Sequence, residues 1–227
     1  PLKTPFSVHI DVCSLCNFRC SFCFQADKLG KKEKNFPHGM MKMDLFKKTV
    51  DNLKTFPDRI KKIKIGNHGE PTLHPLLPKF IEYARKSDVA DIIEVFTNGS
   101  KLNQKLNKEL VDAGLQRINI SLEGLSSERY LKVAAAKINW DEFVSNVRDL
   151  YSYSRKNGDL NIYVKIINHA SELKGKTVFS MTDEEKDIFY KTFGNIADEI
   201  YIEKIVPQWA ETQEGKQNEV ELTGMYD

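Results

Sequence analysis

Apolar runs with the period of a β-strand alternate with helix-like stretches along this 227-residue chain, and their order constrains the fold more than any other feature. The predicted strands lie at 6–12, 63–65, 92–96, 118–122, 160–167 and 199–205, and the predicted helices at 43–56, 76–86, 102–113, 126–134, 140–156 and 182–193. Regular alternation of the two element types favours right-handed βαβ units and a parallel sheet. Six units are too few for a closed eight-stranded barrel. The sequence therefore predicts an α/β fold with a mostly parallel sheet.

Composition excludes several classes of protein. Hydrophobic residues make up 41% of the chain and charged residues 29%, which is typical of a globular protein with an ample core. The 34 basic and 32 acidic residues give a formal net charge of +2, so charge provides no reason to expect a nucleic-acid partner. No apolar run approaches the roughly 18 residues of a membrane span, and the N-terminus has no signal-peptide pattern. We therefore expect a cytoplasmic chain without membrane contact.

All four cysteines of the chain fall within residues 13–23, directly after the first predicted strand. Cys16, Cys20 and Cys23 have the spacing C-x3-C-x2-C, with no histidine nearby. Such a thiolate triad is typical of an iron–sulfur ligand loop, in which three thiolates on a four-iron cluster leave one iron open. The alternative is structural zinc with Cys13 as the fourth ligand. Zinc sites usually join two ligand pairs by a longer loop than the three residues between Cys16 and Cys20, so the spacing favours the iron–sulfur cluster.

Two motifs resemble those of the radical S-adenosylmethionine (radical SAM) enzymes: the cysteine triad, and the turn Gly66-Asn67-His68-Gly69-Glu70-Pro71 after the second strand. The resemblance runs from about Phe6 to Pro207. It implies an open, partial (β/α)6 TIM-like barrel and a [4Fe–4S] cluster held by Cys16, Cys20 and Cys23. It also implies reductive cleavage of SAM to a 5′-deoxyadenosyl radical that abstracts a hydrogen atom from substrate. Cys13 departs from the family, which usually has Thr or Asn there; it is either a small buried residue or an alternative ligand.

The resemblance further implies which residues contact SAM: an aromatic side chain beside the adenine, acceptors for the ammonium, and polar groups at strand ends. Together with a lysine in the fifth strand, the predicted SAM contacts are Phe22, Gly69, Glu70, Asn98, Ser121, Glu123 and Lys165. Side chains alternate along a strand, so Ser121 and Glu123 share one face. Lys165 needs an anionic partner if it points into the barrel, and the alternative is an edge strand with the side chain in water.

His9 and Asp11 alternate away from the apolar side chains of the first strand. If this strand lines the barrel, both point into the lumen near the cluster. They are candidate substrate contacts. The alternative, internal hydrogen bonding, is equally compatible with the pattern.

Within the superfamily, the chain most resembles the core of the SPASM or twitch type, whose C-terminal extensions hold auxiliary clusters. No cysteine follows Cys23, so residues 1–207 are predicted to form the core domain and the polar residues 208–227 a tail or linker. The missing initiator Met and the end at Tyr226-Asp227 favour a fragment of a longer protein.

The resemblance implies an electron donor such as flavodoxin or ferredoxin, and a substrate that is a peptide, a protein side chain, a sugar or another small metabolite. Oxidoreductase-type hydrogen abstraction is the favoured reaction. Two rival functions stay open. One is a zinc- or cluster-bearing binding module without catalysis. The other is an aldolase-like barrel in which Lys165 forms a Schiff base, which would require a lysine of depressed pKa in a dry site.

Overall fold

The structure is a computed structural model that describes residues 2–20, 23, 39–168, 171–173, 176–178 and 181–204. Its strands are β1 (Ser7–Ile10), β2 (Ile60–Ile65), β3 (Ala90–Thr97), β4 (Arg117–Leu122), β5 (Asn161–Asn168), β6 (Ser171–Leu173), β7 (Lys176–Val178) and β8 (Glu199–Lys204). Its α-helices are α1 (Met43–Asn52), α2 (Leu77–Lys86), α3 (Gln104–Asp112), α4 (Ser127–Ala134), α5 (Trp140–Asn157) and α6 (Asp183–Phe193). Short 3₁₀ turns lie at Leu53–Thr55 and Pro71–Leu73.

Six strands form one parallel sheet in the order β1-β2-β3-β4-β5-β8. Among the described residues β1 and β8 each pair on one side only, so the sheet is an open, partial barrel, as predicted. The strands follow one another in chain order, which brings their carboxyl ends to the same edge. The antiparallel pair β6–β7, inserted between β5 and α6, was not predicted.

The two faces of the sheet differ sharply because each strand alternates between apolar and polar side chains. Side chains such as Ile63, Ile93, Ile118 and Val164 are fully buried in one core cluster together with the apolar faces of the helices. Parallel sheets that are covered on both faces read as nearly continuous apolar runs. The alternation here therefore marks one helix-covered face and one polar, inner face.

Element boundaries differ from the prediction at several ends. The first helix ends at Asn52 rather than at 56, because the chain tightens into the 3₁₀ turn, in which the Phe56 N–H bonds the Leu53 carbonyl at 3.3 Å. The second strand begins at Ile60, three residues earlier than predicted. Thr182 caps α6 through a capping box with Glu185.

None of the helices in the described ranges combines the length and the apolar character that crossing a membrane requires.

Candidate functional site

The cysteine loop follows β1 at the carboxyl edge of the sheet, and α4 holds it from one side. The Phe18 ring packs edge-on against Tyr130, with centroids 5.8 Å apart, and the Arg19 N–H donates to the Ala134 carbonyl at 2.8 Å. Cys20 is buried in the same small apolar cluster. The loop is therefore anchored before any group binds to it.

The turn after β2 holds the cysteine loop from the other side. The Glu70 N–H donates to the Leu15 carbonyl at 2.7 Å. Gly69 adopts φ +81°, and a Cβ placed on it would lie 2.3 Å from the Cys13 carbonyl oxygen. Only glycine allows the two backbones to approach this closely. The two predicted motifs are thus packed against each other.

The Glu70 carboxylate fastens the turn after β2 to the end of β3. It is 1% exposed and accepts hydrogen bonds from the Thr72 N–H at 2.9 Å, the Thr97 hydroxyl at 2.7 Å and the Asn98 N–H at 2.6 Å. Burial raises the pKa of Glu70, while these donors act in the opposite direction. The side chain therefore acts as a clamp between loops, and its contact with the SAM ammonium stays a prediction.

The three predicted ligands differ in exposure: Cys16 is exposed, Cys23 is half-buried and Cys20 is buried. The Phe18 N–H points at the Cys16 sulfur at 3.4 Å, and the Cys23 N–H donates to the Cys20 carbonyl at 3.0 Å. Loss of water around the sulfur raises the pKa of the Cys16 thiol although the residue as a whole is exposed, and burial raises the pKa of the Cys20 thiol. A bound metal would displace these protons, as it does at other cysteine ligands.

Within the residues that the structure describes, no three metal-ligating side chains converge on one position. The choice between an iron–sulfur cluster and a zinc ion therefore rests on the spacing of the cysteines. Cys13 is fully buried at the end of β1, where its thiol donates to the Leu15 carbonyl at 3.6 Å. This environment matches the predicted small buried residue.

Asn98 connects the end of β3 to the cysteine loop. Its amide nitrogen donates to the Asn17 side chain at 3.1 Å and lies 3.9 Å from the Cys16 sulfur. Its amide oxygen accepts from the Ser100 hydroxyl at 2.7 Å, and Ser100 in turn accepts from Asn17 at 2.8 Å. Asn98 is thus positioned to orient the loop around Cys16, in addition to its predicted SAM contact.

Ser121 and Glu123 lie at and after the end of β4, beside the cysteine loop. Burial raises the pKa of Glu123 to about 7, and the neighbouring Cys20 thiol and Lys165 ammonium oppose that rise. One carboxylate oxygen of Glu123 is buried without a hydrogen-bond partner among the described residues. An unpartnered buried acceptor next to Cys20 is compatible with a bound cofactor that donates to it.

Lys165 lies in an interior strand, because β5 pairs with β4 on one side and β8 on the other. The edge-strand alternative is therefore wrong. The ammonium pairs with both carboxylate oxygens of Glu203, at 3.0 and 3.1 Å. Lys165 also stands directly opposite Ser121 in the register. The anionic partner that a buried lysine needs is thus supplied by the chain itself, and its contact with SAM stays a prediction.

Asp11 binds the turn after β2. Its carboxylate accepts from the Asn67 N–H at 2.7 Å and the His68 N–H at 3.1 Å, and it lies 2.8 Å from the His68 Nδ1. Internal hydrogen bonding, one of the two sequence alternatives, is thus observed. His9 is exposed on the inner face, opposite Lys64 in the register. For both residues a substrate contact stays a prediction.

Replacing Asp11 with Asn should destabilise the fold in a pH-dependent way. Burial works against ionisation of Asp11, but the hydrogen bonds from Asn67 and His68 outweigh it and lower the pKa. A lowered pKa stabilises the native state above the unfolded value of about 3.9, and the stabilisation is lost as pH falls through the folded value. We expect a loss of about 1 kcal/mol at pH 7 for this partly exposed group. The measurement is urea unfolding of both proteins from pH 7 down to pH 3.

The difference in the free energy of unfolding between wild type and Asp11→Asn should become smaller as the pH falls. Asp187→Asn, at an exposed position on α6, should change stability at neither end of the range. An equal loss at pH 7 and pH 3 would show that the carboxylate charge does not matter.

Phe22 lies outside the described residues, as does the predicted tail, 208–227. Several residues that build the site were not predicted: Thr72 and Thr97, which donate to Glu70, and Asn17 and Ser100, which pair with Asn98. The polar runs at the strand ends indicated a site, but Thr97 and Glu70 are 27 residues apart and Asn17 and Ser100 are 83 residues apart, so their pairing has no local signal.

Residues 10–182 match the sequence model of the Radical SAM superfamily. A probable GTP 3′,8-cyclase of Methanococcus maripaludis is 28% identical over 225 residues, covering 88% of this chain and 70% of the relative. A tungsten-containing aldehyde ferredoxin oxidoreductase cofactor-modifying protein of Pyrococcus furiosus is 32% identical over 118 residues, covering 52% of this chain and 31% of the relative.

Among solved structures, Streptococcus suis SuiB bound to S-adenosylmethionine superposes with a TM-score of 0.68 at 13% identity. The match covers 95% of this chain and 44% of SuiB, so the chain spans less than half of that protein. At this level of identity the similarity shows a shared fold.

Proposed function

Since the chain belongs to the radical SAM superfamily, whose members use a [4Fe–4S] cluster and SAM, we propose that Cys16, Cys20 and Cys23 hold the cluster and that SAM lies beside it. When bound, the pair supplies one-electron cleavage of SAM to a 5′-deoxyadenosyl radical, which takes a hydrogen atom from substrate. The observation that carries the proposal is the packing of the cysteine loop against the turn at Gly69 and Glu70.

The residues of the chain position the loops around the cofactors and do not themselves react. Glu70 fixes the turn after β2 relative to the end of β3, and Asn98 fixes the end of β3 relative to Cys16. Ser121 and Glu123 lie at the carboxyl end of β4, on the same edge of the sheet. A cofactor held there would meet polar donors and acceptors from several strand ends, which would restrain its orientation.

We propose that the substrate enters the polar inner face of the sheet and undergoes hydrogen abstraction there. The similar proteins point to different substrates. The Methanococcus maripaludis protein is named for GTP, whereas SuiB has been crystallised with the precursor peptide SuiA. A small molecule and a peptide are thus both candidates, and a reductant such as flavodoxin or ferredoxin would supply the electron. Residues 1–207 would form the core, with 208–227 leading toward a C-terminal extension.

The deciding experiment is anaerobic reconstitution with iron and sulfide, followed by dithionite, SAM and an assay for 5′-deoxyadenosine. We expect a brown protein with absorption near that of other [4Fe–4S] proteins, and SAM-dependent formation of 5′-deoxyadenosine. Colourless protein that contains zinc, without product, would instead identify the non-catalytic binding module. The Schiff-base alternative predicts borohydride trapping of a carbonyl substrate on Lys165.

A further inference from the structure

The inner face of the sheet carries an excess of positive charge. Because side chains alternate along each strand, the register places seven ionised residues of the strands on this face. The four cations and three carboxylates are Lys62, Lys64, Arg117, Lys165, Glu94, Glu199 and Glu203. One cation is left over if the others pair.

Other groups already surround the carboxylate of Glu94: Arg117 and Asn119 contact its Oε1, and Lys62 is the cation nearest to its Oε2, which has no hydrogen-bond partner among the described residues. This side chain is 4% exposed, and it lies 3.0 Å from the Arg117 Nε and 3.9 Å from the Lys62 ammonium. It also accepts from the Asn119 amide at 2.6 Å. Arg117 continues the network to Glu199, to which its second terminal nitrogen donates at 2.9 Å. These contacts compensate the charges of Lys62 and Arg117 with those of Glu94 and Glu199. The charge of Lys165 is compensated by that of Glu203.

Lys64 is the cation that these pairs leave over. It stands beside Glu94 in the register, yet no carboxylate of the described residues lies within 4.0 Å of its ammonium. The ammonium instead lies over the Phe96 ring, 5.7 Å from its centroid. The positive charge of Lys64 also acts on His9. Burial, and after it the charge of Lys64, lower the pKa of His9, while the charges of Asp11 and Glu94 oppose this shift.

We propose that Lys64 binds an oxyanion, a phosphate or carboxylate group, of a small-molecule substrate, with the Phe96 ring beside it. A half-buried lysine on the inner face of an open barrel, with no ionic partner among the described residues, is stabilised by an anion that enters with the ligand. Lys64 precedes by two residues the turn that begins at Gly66, so the oxyanion lies next to the edge where SAM is expected. The inference rests on the proposed function, since it assigns the substrate of the same site.

The test is isothermal titration calorimetry of the anaerobic, cluster-loaded chain with SAM, using phenyl phosphate, benzoate and the uncharged benzyl alcohol as probes. Lys64→Met keeps the aliphatic stem and removes the charge, and Lys64→Arg keeps the charge. Lys61→Met is the matched control, because Lys61 lies on the same strand but is exposed and pairs with Asp91 at 2.9 Å. The two anions distinguish a phosphate site from a carboxylate site.

We expect at least one anion to bind wild type better than benzyl alcohol does. Lys64→Met should lower the affinity for that anion about tenfold or more. Lys64→Arg and Lys61→Met should bind it nearly as tightly as wild type does. Equal binding of all three probes, or equal loss in Lys61→Met and Lys64→Met, would overturn the proposal. Formation of 5′-deoxyadenosine by the same samples tests the proposed function separately, since it requires no anion.

Discussion

Replacing Cys20 with alanine is expected to abolish cluster assembly and, with it, formation of 5′-deoxyadenosine. Cys20 lies in the anchored part of the loop, buried against Phe18 and Tyr130, so no other thiol can move into its place without breaking that packing. A four-iron cluster with only two protein thiolates loses its attachment to the chain. Iron and sulfide content after anaerobic reconstitution, read together with visible absorption, is the measurement.

Cys13→Ala is the matched control, because Cys13 is also buried and lies in the same segment of the chain. It should cost about 1 kcal/mol or less of stability through the small cavity that it leaves, and it should retain the cluster. Loss of iron in Cys13→Ala with retention in Cys20→Ala would reverse the assignment and make Cys13 a ligand.

Replacing Gly69 with alanine should have the second-largest effect, because the new methyl group meets backbone rather than a yielding side chain. The added Cβ would lie 2.3 Å from the Cys13 carbonyl oxygen and 2.7 Å from the Ser14 carbonyl carbon. The left-handed backbone at φ +81° adds roughly 1–2 kcal/mol of strain for any L-residue. We expect the turn and the cysteine loop to separate, lowering the free energy of unfolding by about 3 kcal/mol or more.

Gly39→Ala provides the control for Gly69→Ala. The Gly39 carbonyl also contacts the start of the cysteine loop, accepting from the Ser14 N–H at 3.0 Å, but no atom of the described residues lies within 4 Å of a Cβ placed on Gly39. Thermal unfolding and the iron content of both variants should therefore separate them clearly. If Gly69→Ala retained wild-type stability and iron content, close contact between the two loops would not be required.

The order of elements was predictable because each strand and helix carries its own local period. The cysteine spacing and the turn at Gly66–Pro71 were equally local, and both lie at the edge where the sequence placed them. The pair β6–β7 was not predicted because each strand is three residues long, and three residues are too few to show the alternation of a strand.

The connections across the site could not be predicted. Glu70 and Asn98 are 28 residues apart, and Lys165 and Glu203 are 38 residues apart. Which of these side chains meet depends on the register between parallel strands, which helices packed on the other face determine. The sequence therefore indicated that Glu70 and Lys165 matter, without showing that each is held by another residue of the chain.

The alternation of side chains along β2–β5 separates two kinds of evolutionary change. Residues such as Ile63, Ile93 and Val164 hold the sheet against its helices, and substitutions there are felt throughout the core. Their neighbours Lys64, Glu94 and Lys165 face the opposite way, because side chains alternate along a strand. Replacing Lys64, which has no ionic partner among the described residues, can therefore change the charge of the inner face while the core stays unchanged, whereas Glu94 and Lys165 have to change together with their ionic partners.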